Sequence, residues 1–408
     1  MKLLQVLIAI LLLPALNANA QPRHKLLVLS IDGLDHRYLR DADRLNLHIP
    51  NMRRLMKQGQ WANGVVGVVP TITWPSHTTM VTGVPPHVHG IRWNRRPQSE
   101  GGEYPWTTDL IKVETLWHAA KKQGLTTAAI TWPVTVGGPI DWNLPEYFQR
   151  RRGGAMDLES ISSKSTPGLV GDITRKFPSF AQQWMDDRTR ALATIYLLQE
   201  KQPDLMTVHF VDLDSEAHDT GPFSPASNAI LEYTDELLGQ ILKAMPRNMA
   251  LALVSDHGFA RVDKTANLKM LMSNQGVNGR IDITPATACA LDNQAAAWLA
   301  SASNQSGTGV GRQIPAAEWT RYVPDAPPCL GAYEPADGFL FSTEPAAESQ
   351  PRERGVHGLW PTRPDYRSIY ILWHEGVKSQ KLPELQMTDL AGRFAELMGL
   401  KFSPAAGK

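Results

Sequence analysis

Short apolar runs alternate with longer amphipathic stretches along this chain. Leu26–Ile31 is nearly continuous in large apolar residues and ends at Asp32-Gly33, the pattern of a buried strand meeting a loop. Similar runs predict strands at Val65–Val69, Thr126–Ile130, Leu205–Val211 and Ala250–Val254. Between and after them, helices are predicted over Ile49–Met56, Ser76–Val81, Thr115–Lys122, Ala181–Glu200, Ser227–Met245 and Met387–Met398. Pro50 suits a first helical turn, and Gly83, Gly124 and Gly399 supply stop signals. Alternation of this kind predicts an α/β fold, with a mostly parallel central sheet and helices on both faces. Ligands of such sheets sit beyond the carboxyl ends of the strands. Asp32, Asp214 and Asp256 each follow an apolar strand closely and are expected at one rim.

Three segments break the alternation. Gly90–Trp106 and Trp132–Met156 are rich in Trp, Pro, Gly and Arg, and Ser301–Pro335 in Ser, Gly, Ala and Pro. They read as surface loops or small caps, giving insertions near 90–156 and 290–340 of a single domain. At the N-terminus, Lys2, the apolar run Leu3–Leu13 and Ala18-Asn19-Ala20 have the parts of a secretory signal. Residues 1–20 are therefore expected to be removed, leaving 21–408 as one catalytic domain, periplasmic or secreted. That run is short for a membrane span, and no later stretch is long and apolar enough to make one.

Composition adds exclusions. With 42% hydrophobic and 20% charged residues, the chain is of globular rather than disordered or fibrous type. A formal net charge of +1 provides no field for a nucleic-acid polymer or a membrane surface. Cys289 and Cys329 are expected to pair in an oxidising compartment, and their spacing does not suit a structural zinc site.

The candidate chemistry lies in four clusters: Ser30-Ile31-Asp32-Gly33; Thr71 to His77; Asp214 to His218, followed by Gly221-Pro222; and Ser255-Asp256-His257-Gly258 with a late His357-Gly358. Each alone has an ordinary structural reading, as a turn, a helix cap or a hydrogen-bonded histidine. Together, three aspartates and three histidines are enough to hold two metal ions. Zinc takes imidazole and carboxylate where no thiolate is offered, and catalytic sites keep a position open. Thr73, just before the predicted Ser76 helix, sits where a helix N-terminus favours negative charge.

The segment Thr71–Asn94, TITWPSHTTMVTGVPPHVHGIRWN, resembles the nucleotide pyrophosphatase/phosphodiesterase family of the alkaline phosphatase superfamily. The Asp-x-x-x-His-x-x-Gly-Pro, Asp-His-Gly and late His-Gly signatures follow in that family's order. The likeness runs from about Leu26 to Leu400. It implies an alkaline-phosphatase-like catalytic domain with two Zn2+ per chain. One is held by Asp214, His218 and His357, and the other by Asp32, Asp256 and His257 with the Thr73 oxygen. It further implies Thr73 as nucleophile and Asn94 as donor to the transferred phosphoryl oxygens, with a phosphothreonine intermediate. The expected substrate is a small phosphate diester.

Trp74 reads equally as a stacking wall for substrate or as core packing. His77, His87 and His89 read as supports rather than ligands. Arg92, Arg95 and Arg96 read as phosphate contacts or as a solvated loop. The sequence departs from the family at His209, where a tyrosine is usual, and at Leu213, where proline is usual, which weakens the expectation of nucleotide preference. Two other readings keep their place: a phosphomonoesterase or phosphonate hydrolase of the same superfamily, and a non-catalytic exported zinc-binding protein. The sequence leaves the oligomeric state open.

Overall fold

The computed structural model describes residues 24–180 and 182–403. The expected signal segment 1–20 lies outside them. An eight-stranded sheet forms the centre. Its strands are β1 Lys25–Ile31, β2 Gln60–Ala62, β3 Thr127–Ile130, β4 Trp142–Leu144, β5 Leu205–Phe210, β6 Met249–Val254, β7 Tyr370–Trp373 and β8 Gln380–Leu382. The order across the sheet is β8-β2-β7-β6-β1-β5-β3-β4. The run β6-β1-β5-β3-β4 is parallel throughout, and β7 is antiparallel to both its neighbours. The expected mostly parallel α/β sheet is observed.

Seven helices matter for the site: α1 Pro50–Gln58, α2 Thr73–Thr82, α3 Leu116–Lys122, α4 Asp187–Tyr196, α5 Asp212–Thr220, α6 Pro225–Ala244 and α7 Leu390–Met398. They cover both faces of the sheet. Leu27, Leu29 and Ile31 of β1 enter one core with Met52 of α1, Ala191 of α4 and Leu231 of α6. Leu26 and Val28 enter the other core with Met80 of α2, Leu116 of α3 and Phe394 of α7. This two-sided burial is why the strand is apolar at successive positions instead of alternating. Burying each such aliphatic side chain contributes about 1.5–3 kcal/mol.

The structure corrects three local expectations and decides a fourth. The predicted Ala181–Glu200 helix begins only at Asp187, because the Asp186 carboxylate caps it, accepting from the Thr189 amide at 2.8 Å. Trp184–Met185 instead pairs with Met156–Asp157 as a short strand. The Val65–Val69 strand is reduced to Val65–Val66, paired with Leu385–Gln386. The Ser76 helix starts three residues earlier, making Thr73 its first residue.

The fourth concerns Ser301–Pro335, where of the two readings, surface loop or small cap, a cap is found. Ile281–Thr284, Thr287–Ala290, Ala332–Pro335 and Val310–Ile314 form a four-stranded antiparallel cap sheet in that order. Leu268, Met272, Trp298, Leu299 and Tyr333 build a separate apolar cluster within the cap. Cys289 and Cys329 are joined in a disulfide across 40 residues, as expected. Replacing both by Ser should cost about 2–4 kcal/mol of cap stability. Limited proteolysis should then cut within 281–335 before the core, and a cutting order like the wild type's would reject this.

Candidate active site

Strand register brings the first two aspartates together. Ser30 of β1 pairs with Val254 of β6, so Asp32 and Asp256 leave adjacent parallel strands at one level. The Asp32 amide still donates to Phe210 O of β5 at 2.9 Å. From β5 the chain turns into α5, which places Asp214 and His218 one turn apart on one face. His357 arrives on the segment Gly355–Val356, which pairs with Ala260–Arg261 shortly beyond His257. The Gly358 amide donates to Thr71 O at 3.0 Å, tying that segment to the turn before Thr73. All six expected ligands thus meet at one rim.

His257 Nε2 lies 3.3 Å from Asp32 Oδ1 and 3.1 Å from Asp256 Oδ2, and these three residues form one buried group. A second group joins Asp214, His257 and His357. His218 Nε2 and His357 Nε2 stand 3.5 and 3.6 Å from Asp214 Oδ1. The tight grouping differs from the expected division into three and three. His257 belongs to both groups, and His218 joins through Asp214.

The donor atoms fit cations. Asp32 Oδ1, Asp214 Oδ1, Asp256 Oδ2 and His257 Nε2 are buried without hydrogen-bond partners among the described residues. The companion atoms of Asp32, Asp256 and His257 are occupied. Asp256 Oδ1 accepts from the Gly33 and His257 amides, both at 3.1 Å, and Asp32 Oδ2 is 3.0 Å from His209 Nε2. His257 Nδ1 faces Gly258 O at 3.2 Å, and His218 Nδ1 faces Gly355 O at 3.0 Å. In Asp32, Asp256, His257 and His218 one atom of the side chain is anchored while the other faces its neighbours in the group. Unpaired buried polar atoms are costly, and bound metal resolves the cost. Two such buried groups are consistent with a binuclear site.

The electrostatics point the same way. Burial, then the charges of Asp214 and Asp256, push the Asp32 carboxyl well above its ordinary range. Burial opposes a charged His257, but the Asp256 carboxylate raises it to about 9. Burial, with His257 and His218, holds His357 well below the usual imidazole range. A dication relieves the carboxylate repulsion that burial intensifies.

Gly33 is required here. Its φ is +69°, and a Cβ would stand 2.9 Å from the Phe259 ring. Thr73 opens α2, which has no side-chain cap. In that first turn the Trp74 amide goes to Asn94 Oδ1 at 2.9 Å, and Pro75 has no N–H. This contact turns the Asn94 amide group toward donation and leaves the Thr73 N–H as the first-turn donor not committed to the helix. Thr73, Asn94, Asp32, Asp214, His218 and His357 line one cleft of about 430 Å3.

The remaining candidates resolve in place. The Trp74 ring is buried, 5.3 Å from Tyr104 and 5.2 Å from Trp106, and it lines the cleft together with Tyr104, so it packs in the core and forms part of the cleft wall. His77 supports, its Nδ1 2.8 Å from Thr73 O and 3.6 Å from Asp256 Oδ2. His89 is structural, 3.0 Å from Thr79 Oγ1. Arg92 pairs with Asp325, and Arg95 lies over the Tyr104 ring at 4.9 Å. Sequence reasoning passed over Glu146. His209 is buried between Asp32 and Glu146, its Nδ1 3.3 Å from Glu146 Oε2. Burial opposes its charge, yet Asp32 and Glu146 raise it to about 10. His209 is therefore a brace for the Asp32 carboxylate and, being fully buried, presents no face to a base. Its position in β5 was the only available signal, and nothing local marked Glu146.

The family model described as type I phosphodiesterase / nucleotide pyrophosphatase matches residues 26–318. The chain belongs to that family. Human ectonucleotide pyrophosphatase/phosphodiesterase family member 7 is 26% identical over 288 residues, covering 65% of this chain and 55% of its own. Venom phosphodiesterase of Naja atra is 27% identical over 251 residues, covering 58% and 26%. The chain thus spans about half the length, or less, of these relatives. Murine ectonucleotide pyrophosphatase/phosphodiesterase 5, solved as an inactive variant with AMP, has a TM-score of 0.65 at 19% identity, covering 94% of this chain and 97% of that one. That likeness concerns the fold.

His209→Phe should weaken metal binding about 10–100-fold, the usual effect of removing a ligand's outer support. Metal content after dialysis against graded chelator measures this. Retention equal to the wild type's would remove the bracing role.

Proposed function

We propose that this family member is a two-zinc phosphodiesterase/nucleotide pyrophosphatase working through a phosphothreonine at Thr73. The observation behind it is the placement of a helix-opening hydroxyl and the Asn94 amide in the same cleft as two buried carboxylate–imidazole groups. Asp32, Asp256 and His257 would hold one zinc beside Thr73, and Asp214, His218 and His357 the other. When bound, the pair supplies Lewis acidity that favours the ionised Thr73 hydroxyl and neutralises charge on the oxygens entering and leaving phosphorus.

Thr73 Oγ1 attacks phosphorus, forming the Thr–phosphate bond as the bond to the leaving alcohol or nucleotide breaks. The Asn94 amide donates to a non-bridging oxygen. Water then cleaves the phosphothreonine and restores the hydroxyl. The Thr73 N–H and the N-terminal end of α2 favour the negative charge during both steps.

The cleft's remaining charges favour a diester over a monoester. Besides the ligand set it is lined by Glu146, Asp219 and Glu353 against Arg151, a poor setting for the extra charge of a monoester. Tyr104 and, beneath it, Trp74 offer an aromatic wall, so a nucleotide moiety of the kind seen with the murine relative is one candidate substituent. Residues 21–408 are proposed as one exported catalytic domain bearing a cap. Among the described residues no helix is long and apolar enough to cross a membrane. A small-molecule ester, not a nucleic-acid polymer, is the proposed partner.

Thr73→Ala should lower turnover of bis-p-nitrophenyl phosphate by at least about 10³-fold while leaving zinc content near normal. Chelation should abolish activity and zinc should restore it. Faster turnover of p-nitrophenyl phosphate than of the diester would favour the monoesterase reading.

A further inference from the structure

The catalytic cleft has an apolar neighbour. A second cavity of about 360 Å3 lies between the cap and the catalytic rim. Ile72, Leu359 and Trp360 line it from the core side, and Leu291, Trp319 and Val323 from the cap. Trp319 stacks on Trp360 with centroids 5.6 Å apart and planes 7° from parallel, which makes a flat, rigid wall. Among the described residues lining it, Asp282 is the one carboxylate. Its volume falls in the range that takes a small organic ligand.

Two features connect this chamber to the chemistry. His357 lines both it and the catalytic cleft. Ile72, in its wall, immediately precedes Thr73. An ester phosphorus beside Thr73 therefore has a polar route past Asn94 and Arg151 and an apolar route past His357. The apolar surface also reaches solvent, with Trp93 46% and Leu291 38% exposed.

We infer that this chamber binds an alkyl or aryl substituent of the phosphate ester, so that the preferred substrate has one apolar arm. The inference rests on the phosphate-ester reading above and adds the substrate class. Desolvating a chain there is favourable by about 0.8 kcal/mol per methylene, or about fourfold in affinity. The cap supplies half of this wall. Cys289 is part of it, so the disulfide with Cys329 holds the chamber's outer side.

The test uses the zinc-loaded chain and a series of n-alkylphosphonates from methyl to decyl as inhibitors of bis-p-nitrophenyl phosphate hydrolysis. The inhibition constant should fall about fourfold per methylene over the first several carbons and then level. Val323→Asp and, separately, Ala286→Trp should remove at least about tenfold of the long-chain affinity. Both should leave methylphosphonate inhibition unchanged, since a methyl group does not reach the chamber wall. Tyr104→Ala, in the polar cleft and outside the chamber, should preserve the dependence on chain length. A flat series on an active enzyme overturns the proposal and leaves the phosphodiesterase reading standing. So does a slope that survives both chamber variants, or one lost only in Tyr104→Ala. Absence of both turnover and methylphosphonate binding sinks the phosphate-ester reading and this proposal with it.

Discussion

Three carboxylates held close together in a nearly dry rim set the terms for everything around them. Asp32, Asp214 and Asp256 are all buried, and their free oxygens face a common space. Burial amplifies their mutual repulsion, and a protein that gathers them this way needs compensating positive charge. Backbone amides from Gly33 and His257, and the His209 imidazole, hold the outer oxygen of two of these carboxylates. The inner oxygens are left for cations. The same charge that makes the ligands compatible in one pocket is what an attacking hydroxyl and a departing oxygen require.

The sheet makes this gathering possible. Parallel neighbours β6, β1 and β5 end together, so residues from remote parts of the chain arrive at one level without special loops. The two apolar cores on either face hold the strands rigidly enough to fix the ligand positions. The cap leaves that scaffold unaltered and adds a wall. It leaves a polar cleft on one side of His357 and an apolar chamber on the other, and this asymmetry is what can choose among esters sharing one reaction.

Legibility followed the range of the interactions. β1, β5 and β6 were readable because burial on both faces demands unbroken apolar runs. α2 and α7 were readable because glycine ends them in left-handed conformation at Gly83 and Gly399. The start of α4 was not, since Trp184 and Met185 are apolar for a small ribbon rather than for a helix. β7 was missed because an antiparallel strand added beside β6 needs no preceding crossover pattern. The strands of the cap were not readable, and loop and cap stayed open there, because its small and polar residues pack against segments distant in sequence.

The sequence by itself determined the alternation of buried strands and amphipathic helices, the exclusion of a charge-driven polymer partner, and the set of six candidate ligands with Thr73 and Asn94. The first two follow from short-range periodicity and charge, and the third from ordered clusters read together with their resemblance to a known family. Only the tertiary structure decided that His257 stands in both buried carboxylate–imidazole groups, that His209, beside Glu146, braces Asp32, that Trp74 packs against Tyr104 and Trp106 at the cleft wall, and that the cap encloses an apolar chamber. Each of these depends on which distant segments meet, and that meeting is settled by strand register and core packing, which no local stretch of residues contains.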